Sequence, residues 1–376
     1  MNTPELREQC AQRLLTGAAN AERMTAFVGL DGFVDEILHV VDKRDGPDSF
    51  QRLTTISKLA ERMGAAAGKS TNIELVNRVT KLGGNGPIMA NALASFGLKV
   101  TYLGNLGWPN LHPVFADFAR RADVHSIAEP GHTDALEFDD GKIMMGKIQS
   151  LNEVNWPNIQ TRYGRDQFAA QLTNADLVGF VNWTMVTHMN EIWRAALKEI
   201  CPALKGKRRV MFFDLADPEK RKPDDIREAL KTILEFEKYF DVVLGLNEKE
   251  AHEIGDVLGL QATGKSSDAL SMLALEICLL VPVNTLVVHP VSYALAAGNG
   301  AVSLVQGPFT PKPVITTGAG DHFNSGFCLG KLLGLDNAEC VLTGVATSGH
   351  YVRTAESPNI SDLAKLIRSW PKESER

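Results

Sequence analysis

Thr316-Thr317-Gly318-Ala319-Gly320-Asp321-His322-Phe323-Asn324-Ser325-Gly326-Phe327 is the stretch that decides the reading of this chain. Its small residues free the backbone to turn tightly. An acid closes the turn, and an apolar-periodic run then begins (Phe323, Phe327, Leu329, Leu332, Leu333). That pattern predicts a glycine loop opening a helix. A helix N-terminus offers unpaired N–H groups and a partial positive charge, so it can seat a phosphate. Asp321 in that place is either an ordinary N-cap or, beside a phosphate, a base able to take a proton from a hydroxyl. An anion cradle with a base is the minimum equipment for phosphoryl transfer to an alcohol.

Working outward, strand-length apolar runs alternate with helical patterns. Met24 to Leu30 ends at Asp31-Gly32, Lys99 to Leu103 at Gly104, and Leu177 to Val181 at Asn182. Arg209 to Phe213 ends at Asp214, Val242 to Leu246 at Asn247, and Thr285 to His289 forms a further run. Continuously apolar strands alternating with helices predict a parallel sheet covered on both faces. Polar residues recur where those strands end, the edge at which open α/β sheets bind ligands. Two segments break the alternation. One is Ile37 to Asp45. The other is Asp134 to Ile148, where Asp140-Gly141 between alternating runs predicts a hairpin. Together they suggest a small sheet standing off the main one.

Three further motifs carry chemistry. Gly83-Gly84-Asn85-Gly86-Pro87 precedes a helical run, and paired glycines allow close backbone approach to a ligand. Asn247 and Glu250 stand three apart at a strand end, an oxygen pair that suits Mg²⁺, although the pair alone reads first as a helix capping box. Gly259 to Ser266 fits G-x-x-x-x-G-K-[ST], with Val210 to Asp214 as an accompanying strand. A phosphate loop must follow a strand directly, whereas Glu248 to Leu258 reads as an amphipathic helix, so a Walker-type NTPase is the weaker interpretation.

Composition sets the bounds. The 376 residues are 44% hydrophobic and 22% charged, with net charge −6, giving no basic surplus for nucleic acid or anionic membrane. The five cysteines are scattered, without a Cys-x-x-Cys pair, which points to a reducing compartment. No signal peptide or membrane span is read, and a cytoplasmic protein is expected.

In order, these pieces resemble the ribokinase-like (PfkB) sugar kinase family over nearly the whole chain: Gly29-Leu30-Asp31-Gly32-Phe33-Val34-Asp35, then Gly83 to Gly86, Phe213 to Arg221, Asn247 to Glu250, and Gly318 to Asp321. The resemblance implies a three-layer α/β/α fold with a mainly parallel central sheet and a small β lid. It implies one domain over 1–376, with lid segments near 36–50 and 133–150. Asp321 would be the base, and the N–H groups of Gly318, Ala319 and Gly320 the anion hole. Asp31, Asp35, Gly83, Gly84 and Asn85 would hold the acceptor. Asn247, Thr317, Gly318 and Gly320 would meet the nucleotide, and Asn247 with Glu250 would organise Mg²⁺. The implied activity is ATP- and Mg²⁺-dependent phosphorylation of a small sugar, polyol or nucleoside, with a homodimer formed through the lid. A non-catalytic sensor on the same fold is the alternative. Four positions depart from the family pattern. Ile315 replaces an Asp that helps hold a monovalent cation, leaving potassium activation open. Ile88, Gly107-Trp108-Pro109 and His289-Pro290-Val291-Ser292 replace residues around the acceptor and nucleotide.

Overall fold

The computed structural model describes residues 2–261, 264 and 266–371. Its strands, in chain order, are β1 (Thr25–Leu30), β2 (Phe33–Arg44), β3 (Phe50–Arg52), β4 (Leu75–Gly83), β5 (Lys99–Gly104), β6 (Asp123–Ser126) and β7 (Gly131–Phe138). They continue with β8 (Gly141–Lys147), β9 (Leu177–Phe180), β10 (Arg209–Asp214), β11 (Phe240–Leu246), β12 (Thr285–Val288), β13 (Tyr293–Gly298) and β14 (Ala301–Gln306).

Nine of them form one sheet in the order β14-β13-β12-β11-β10-β9-β1-β5-β6. Neighbours are parallel throughout except at β13, which runs against both β12 and β14. The alternation read from the sequence is therefore the fold: an α/β sheet with helices on both faces. Strand periodicity divides the core between those faces. On β1, Phe27 points to one side with Phe168, Phe180 and Phe213, while Ala26 and Val28 point to the other with Met89, Phe323 and Phe327. Each such fully buried large apolar side chain contributes roughly 1.5–3 kcal/mol of transfer free energy.

The second sheet runs β3-β2-β7-β8, with β4 also paired to β2. It takes in more than the two expected segments: β2 starts at Phe33, and Leu75–Gly83 adds an edge strand that the sequence reading omitted. The hairpin expected at Asp134 to Ile148 is present. Its turn is Asp139-Asp140, because Phe138 pairs with Gly141. Leu38, Val40, Leu53, Leu59, Leu136 and Phe138 form this sheet's own apolar cluster. The sheet is attached where it matters. β2 leaves β1 across Asp31-Gly32 alone, and β4 ends at Gly83, one residue before the helix Asn85–Ser95. Between β5 and β6 the chain makes only a 3-10 turn, Pro113–Phe115, and one helical turn, Ala116–Ala119.

The Walker-like segment has the wrong context, since the helix Glu248–Val257 precedes it. Ala262, Thr263 and Lys265 lie outside the described residues. Ser266 caps the next helix by accepting from the Ala269 N–H. All five cysteines are unpaired. Among the described residues, no helix is long and apolar enough to cross a membrane.

Candidate active site

The site is built where two helix N-termini meet at the carboxyl edge of the large sheet. One helix is Asn85–Ser95, entered through Gly84 at φ 96°. The other is Ala319–Leu332, entered through Gly318 at φ 90°. Both glycines occupy backbone conformations that a side chain disfavours. Space demands glycine as well. A Cβ on Gly83 would run into the Asp35 carboxylate, and one on Gly86 would stand 2.6 Å from Asp31 Oδ1.

Four carboxylates converge here: Asp31, Asp214, Glu250 and Asp321 are each at most 8% exposed. Among the described residues none of them has an ion-pair partner. Asp31 accepts from the N–H groups of Asn85 (3.0 Å) and Gly86 (2.8 Å) and from Asn182 Nδ2 (2.7 Å). Burial still raises its pKa to about 6. Asp321 accepts from Asn85 Nδ2 at 3.0 Å. Burial, with the Asp31 and Glu250 charges behind it, lifts Asp321 to about 8 against the Asn85 donor. Asp214 accepts from Asn324 Nδ2 (2.9 Å) and the Ala216 N–H (2.8 Å), and burial with the Glu250 and Asp321 charges carries it well above the carboxylate range. A set of buried, cation-free oxygen donors is what a hard divalent cation satisfies.

Asn247 and Glu250 do form the capping box. Asn247 Oδ1 accepts from the Glu250 N–H at 2.9 Å, and Glu250 accepts from the N–H groups of Asn247 and Asp217, both at 2.8 Å. The cap and the proposed metal role are compatible, because each carboxylate oxygen has a second lone pair. A separate acidic trio, Asp217, Glu219 and Glu253, surrounds the Lys249 ammonium, and Lys220 also pairs with Asp217, so much of its charge is offset by lysines.

The glycine turn differs in detail from the expectation. The Ala319 N–H is used by Thr316 O at 3.1 Å, so it is not free in this conformation. The N–H groups of Gly318 and Gly320 have no partner among the described residues. Gly320 and Ala319 border a cleft of about 380 Å³ whose other walls include Asn247, His289, Phe309, Val345 and Gly349. His289, Pro290 and Val291 lie in a segment already placed near the nucleotide by the resemblance, whereas Phe309, Val345 and Gly349 were not foreseen. They come from a loop and a distant helix and share no local signal. Thr317 turns its carbonyl toward Tyr351.

Asp35 belongs to β2 of the small sheet, and its carboxylate stands against Gly83, two residues before the Asn85 that holds Asp321. Asp35 is 5% exposed, and burial raises its pKa although Thr133 donates to it and Lys81 stands near. Asn182 and Asp214 were visible in the sequence as strand-end polar residues. Their contacts with Asp31 and Asn324 were not.

The sequence matches the family profile of prokaryotic ketohexokinase over residues 3–370. A ketohexokinase of Haloferax volcanii is 29% identical over 346 residues, 91% of this chain and 90% of that protein. Among solved structures, Arabidopsis thaliana ribokinase complexed with ribose and ATP superposes with TM-score 0.63 at 17% identity, covering 92% of this chain and 98% of that one. A 2-dehydro-3-deoxygluconokinase of Thermotoga maritima gives TM-score 0.63 at 17% identity, covering 92% and 97%. At that identity, the structural likeness establishes the ribokinase fold.

Proposed function

The chain belongs to the prokaryotic ketohexokinase family and is a carbohydrate kinase, and from that premise we propose that it transfers the γ-phosphoryl group of ATP to a hydroxyl of a ketohexose. The observation that carries this reading is the position of Asp321. It is buried at the start of a helix, directly after the Gly320 that borders the cleft, and is held by Asn85, which follows the Gly83-Gly84 turn at the end of the small sheet's β4.

In the proposed reaction, the ionised Asp321 takes the proton of the acceptor hydroxyl. That oxygen bonds to the γ-phosphorus as the bond to the ADP oxygen breaks. The unpartnered N–H groups of Gly318 and Gly320 receive the charge on the phosphoryl oxygens. The apolar cleft walls, Phe309 and Val345 among them, suit a planar base, and Asn247 and Thr316 border the same space. Mg²⁺, when bound, neutralises phosphate charge. The oxygen set of buried Glu250 and Asp214 with half-buried Asn247 would fit it, most simply through water.

Asp35, Gly84 and Asn85 are assigned to the acceptor. Asp31 receives a different task from the one its motif suggests. With no exposed surface and four donors on its carboxylate, the Tyr102 hydroxyl at 3.4 Å among them, it fastens the Asn85 turn rather than meeting a sugar. The small sheet, joined to the site at both Asp31-Gly32 and Gly83-Gly84, is proposed to act as a lid that excludes water from the reacting groups. Its exposed Val79 and Met144 would suit a dimer contact.

The test is Mg²⁺-dependent ADP release from ATP across ketohexoses, aldohexoses, polyols and nucleosides, with Asp321→Ala alongside. Release with a ketohexose, abolished in the variant, supports the proposal. ATP binding with silence across the panel would transfer the assignment to a non-catalytic sensor.

A further inference from the structure

The glycine turn is held from behind by two side chains that touch neither the cleft nor Asp35. The Tyr351 hydroxyl donates to Thr317 O at 3.0 Å. The His322 ring meets Gly318 O through Nδ1 at 2.8 Å and the Ser357 hydroxyl through Nε2 at 2.9 Å. A carbonyl can only accept, so Nδ1 carries the proton and Nε2 accepts from Ser357. The two rings stack, with centroids 3.6 Å apart and planes 12° from parallel. Burial holds the imidazole neutral, its pKa lowered to about 4, which suits a ring at the positive end of a helix.

Peptide geometry makes this arrangement consequential. In a trans peptide the C=O and the following N–H point in opposite directions. Tethering Thr317 O therefore aims the unpartnered Gly318 N–H, and tethering Gly318 O fixes the next peptide, whose Ala319 N–H closes the turn onto Thr316 O. Gly318 has no side chain to restrict it and sits at φ 90°, so without tethers this turn would be the softest part of the site. We propose that His322 and Tyr351 are a stacked pair of positioning residues that preset the turn for the phosphoryl group. They act through the two carbonyls and touch no substrate. This rests on reading the turn as a phosphate cradle.

The test compares wild type, His322→Ala, His322→Asn, Tyr351→Phe and Asp321→Asn. Asparagine can place its Nδ2 close to where the imidazole Nδ1 sits, so it restores the bond without the ring. Phenylalanine keeps the stack without the hydroxyl. Two quantities are measured: kcat and KM with fructose and Mg·ATP, and the thermal stabilisation given by Mg·ATP beyond that given by Mg·ADP. His322→Ala and Tyr351→Phe are expected to lower kcat about 10- to 100-fold, with sugar KM within about twofold, and to lose the ATP-over-ADP increment. His322→Asn should recover most of both. Full kcat and a full increment in His322→Ala would overturn the clamp. So would an asparagine variant no better than the alanine one when both melt like wild type, since the ring's packing alone would then be at work. If Asp321→Asn is inactive while His322→Ala is fully active, only the clamp falls. If Asp321→Asn turns over normally, or wild type shows no ATP-over-ADP increment, the phosphate-cradle reading itself falls and the clamp with it.

Discussion

Asn85 Nδ2 donates to Asp321 Oδ1 at 3.0 Å, while the N–H of the same residue donates to Asp31 at the same distance. One residue therefore ties together the starts of two helices that lie 236 positions apart in the chain. Ser325 Oγ donating to Met89 O at 3.1 Å repeats the link one turn deeper. The amide also opposes the desolvation of Asp321. Burial wins that contest, so the carboxyl stands at about 8 rather than in the carboxylate range.

The pH profile follows from that balance. The base form of Asp321 is populated only as pH rises through its pKa, so kcat/KM should climb toward an acid-side limb near 8. Asn85→Ala removes the donor that favours the ionised form, and the limb should move further alkaline. A flat profile from pH 6 to 9 in both proteins would refute Asp321 as a base with a raised pKa.

Asp321→Asn should separate activity from stability. Turnover should fall by about 10²–10⁴-fold, as expected for loss of a general base. Stability should move the other way. A carboxyl raised on folding from 3.8 to about 8 costs stability as it ionises, from nothing below pH 4 to the full amount above pH 8. The variant should therefore melt a few degrees higher than wild type at pH 8 and nearly level with it at pH 4. Scanning calorimetry at the two pH values decides the matter.

Gly83→Ala should damage the acceptor side alone. The added methyl collides with the Asp35 carboxylate, which burial and Thr133 leave little room to move. The expected outcome is a raised sugar KM, on the order of tenfold, with the ATP KM unchanged. Equal increases in both constants would show instead that the Gly83-Gly84 turn supports the whole site.

Glu250→Gln tests the capping carboxylate. Its two oxygens accept separately from Asn247 and Asp217, and a glutamine turns an NH₂ toward one of those N–H groups. A stability loss of about 1–3 kcal/mol is expected from the unsatisfied donor. A higher Mg²⁺ concentration for half-maximal rate is expected if this carboxylate also organises the cation. Unchanged Mg²⁺ dependence with lowered stability would leave Glu250 a cap only.

Lys265→Ala should leave ATP turnover within about twofold of wild type, because the helix Glu248–Val257 stands where a phosphate loop needs a strand. Loss of turnover would restore the Walker reading.

What could be read early was what is local. The Gly318 turn, the apolar strand runs and the Asn247 cap are each encoded within a few neighbouring residues, where backbone freedom and periodicity act directly. Asn299-Gly300, with φ of 51° and 73°, is equally local and closes the β13–β14 hairpin, although it went unread beside the parallel strands. β4 was missed for another reason. It is an exposed edge strand with four charged or polar residues among nine, and only its pairing with β2 makes it a strand.

The sequence by itself determined the fold class, the glycine turn and the acid that closes it, because these depend on side-chain periodicity and on the allowed φ of single residues. Tertiary structure alone decided what the acids do. Asp31 and Asp35 are four positions apart and share a motif, yet one is sealed beneath the Asn85 turn and the other is carried on β2 of the small sheet. Asp321 is ordinary in sequence and becomes a high-pKa carboxyl through burial beside Asp31 and Glu250. Desolvation and charge–charge coupling depend on distance in space, and those distances exist only once helices from opposite ends of the chain share one sheet edge.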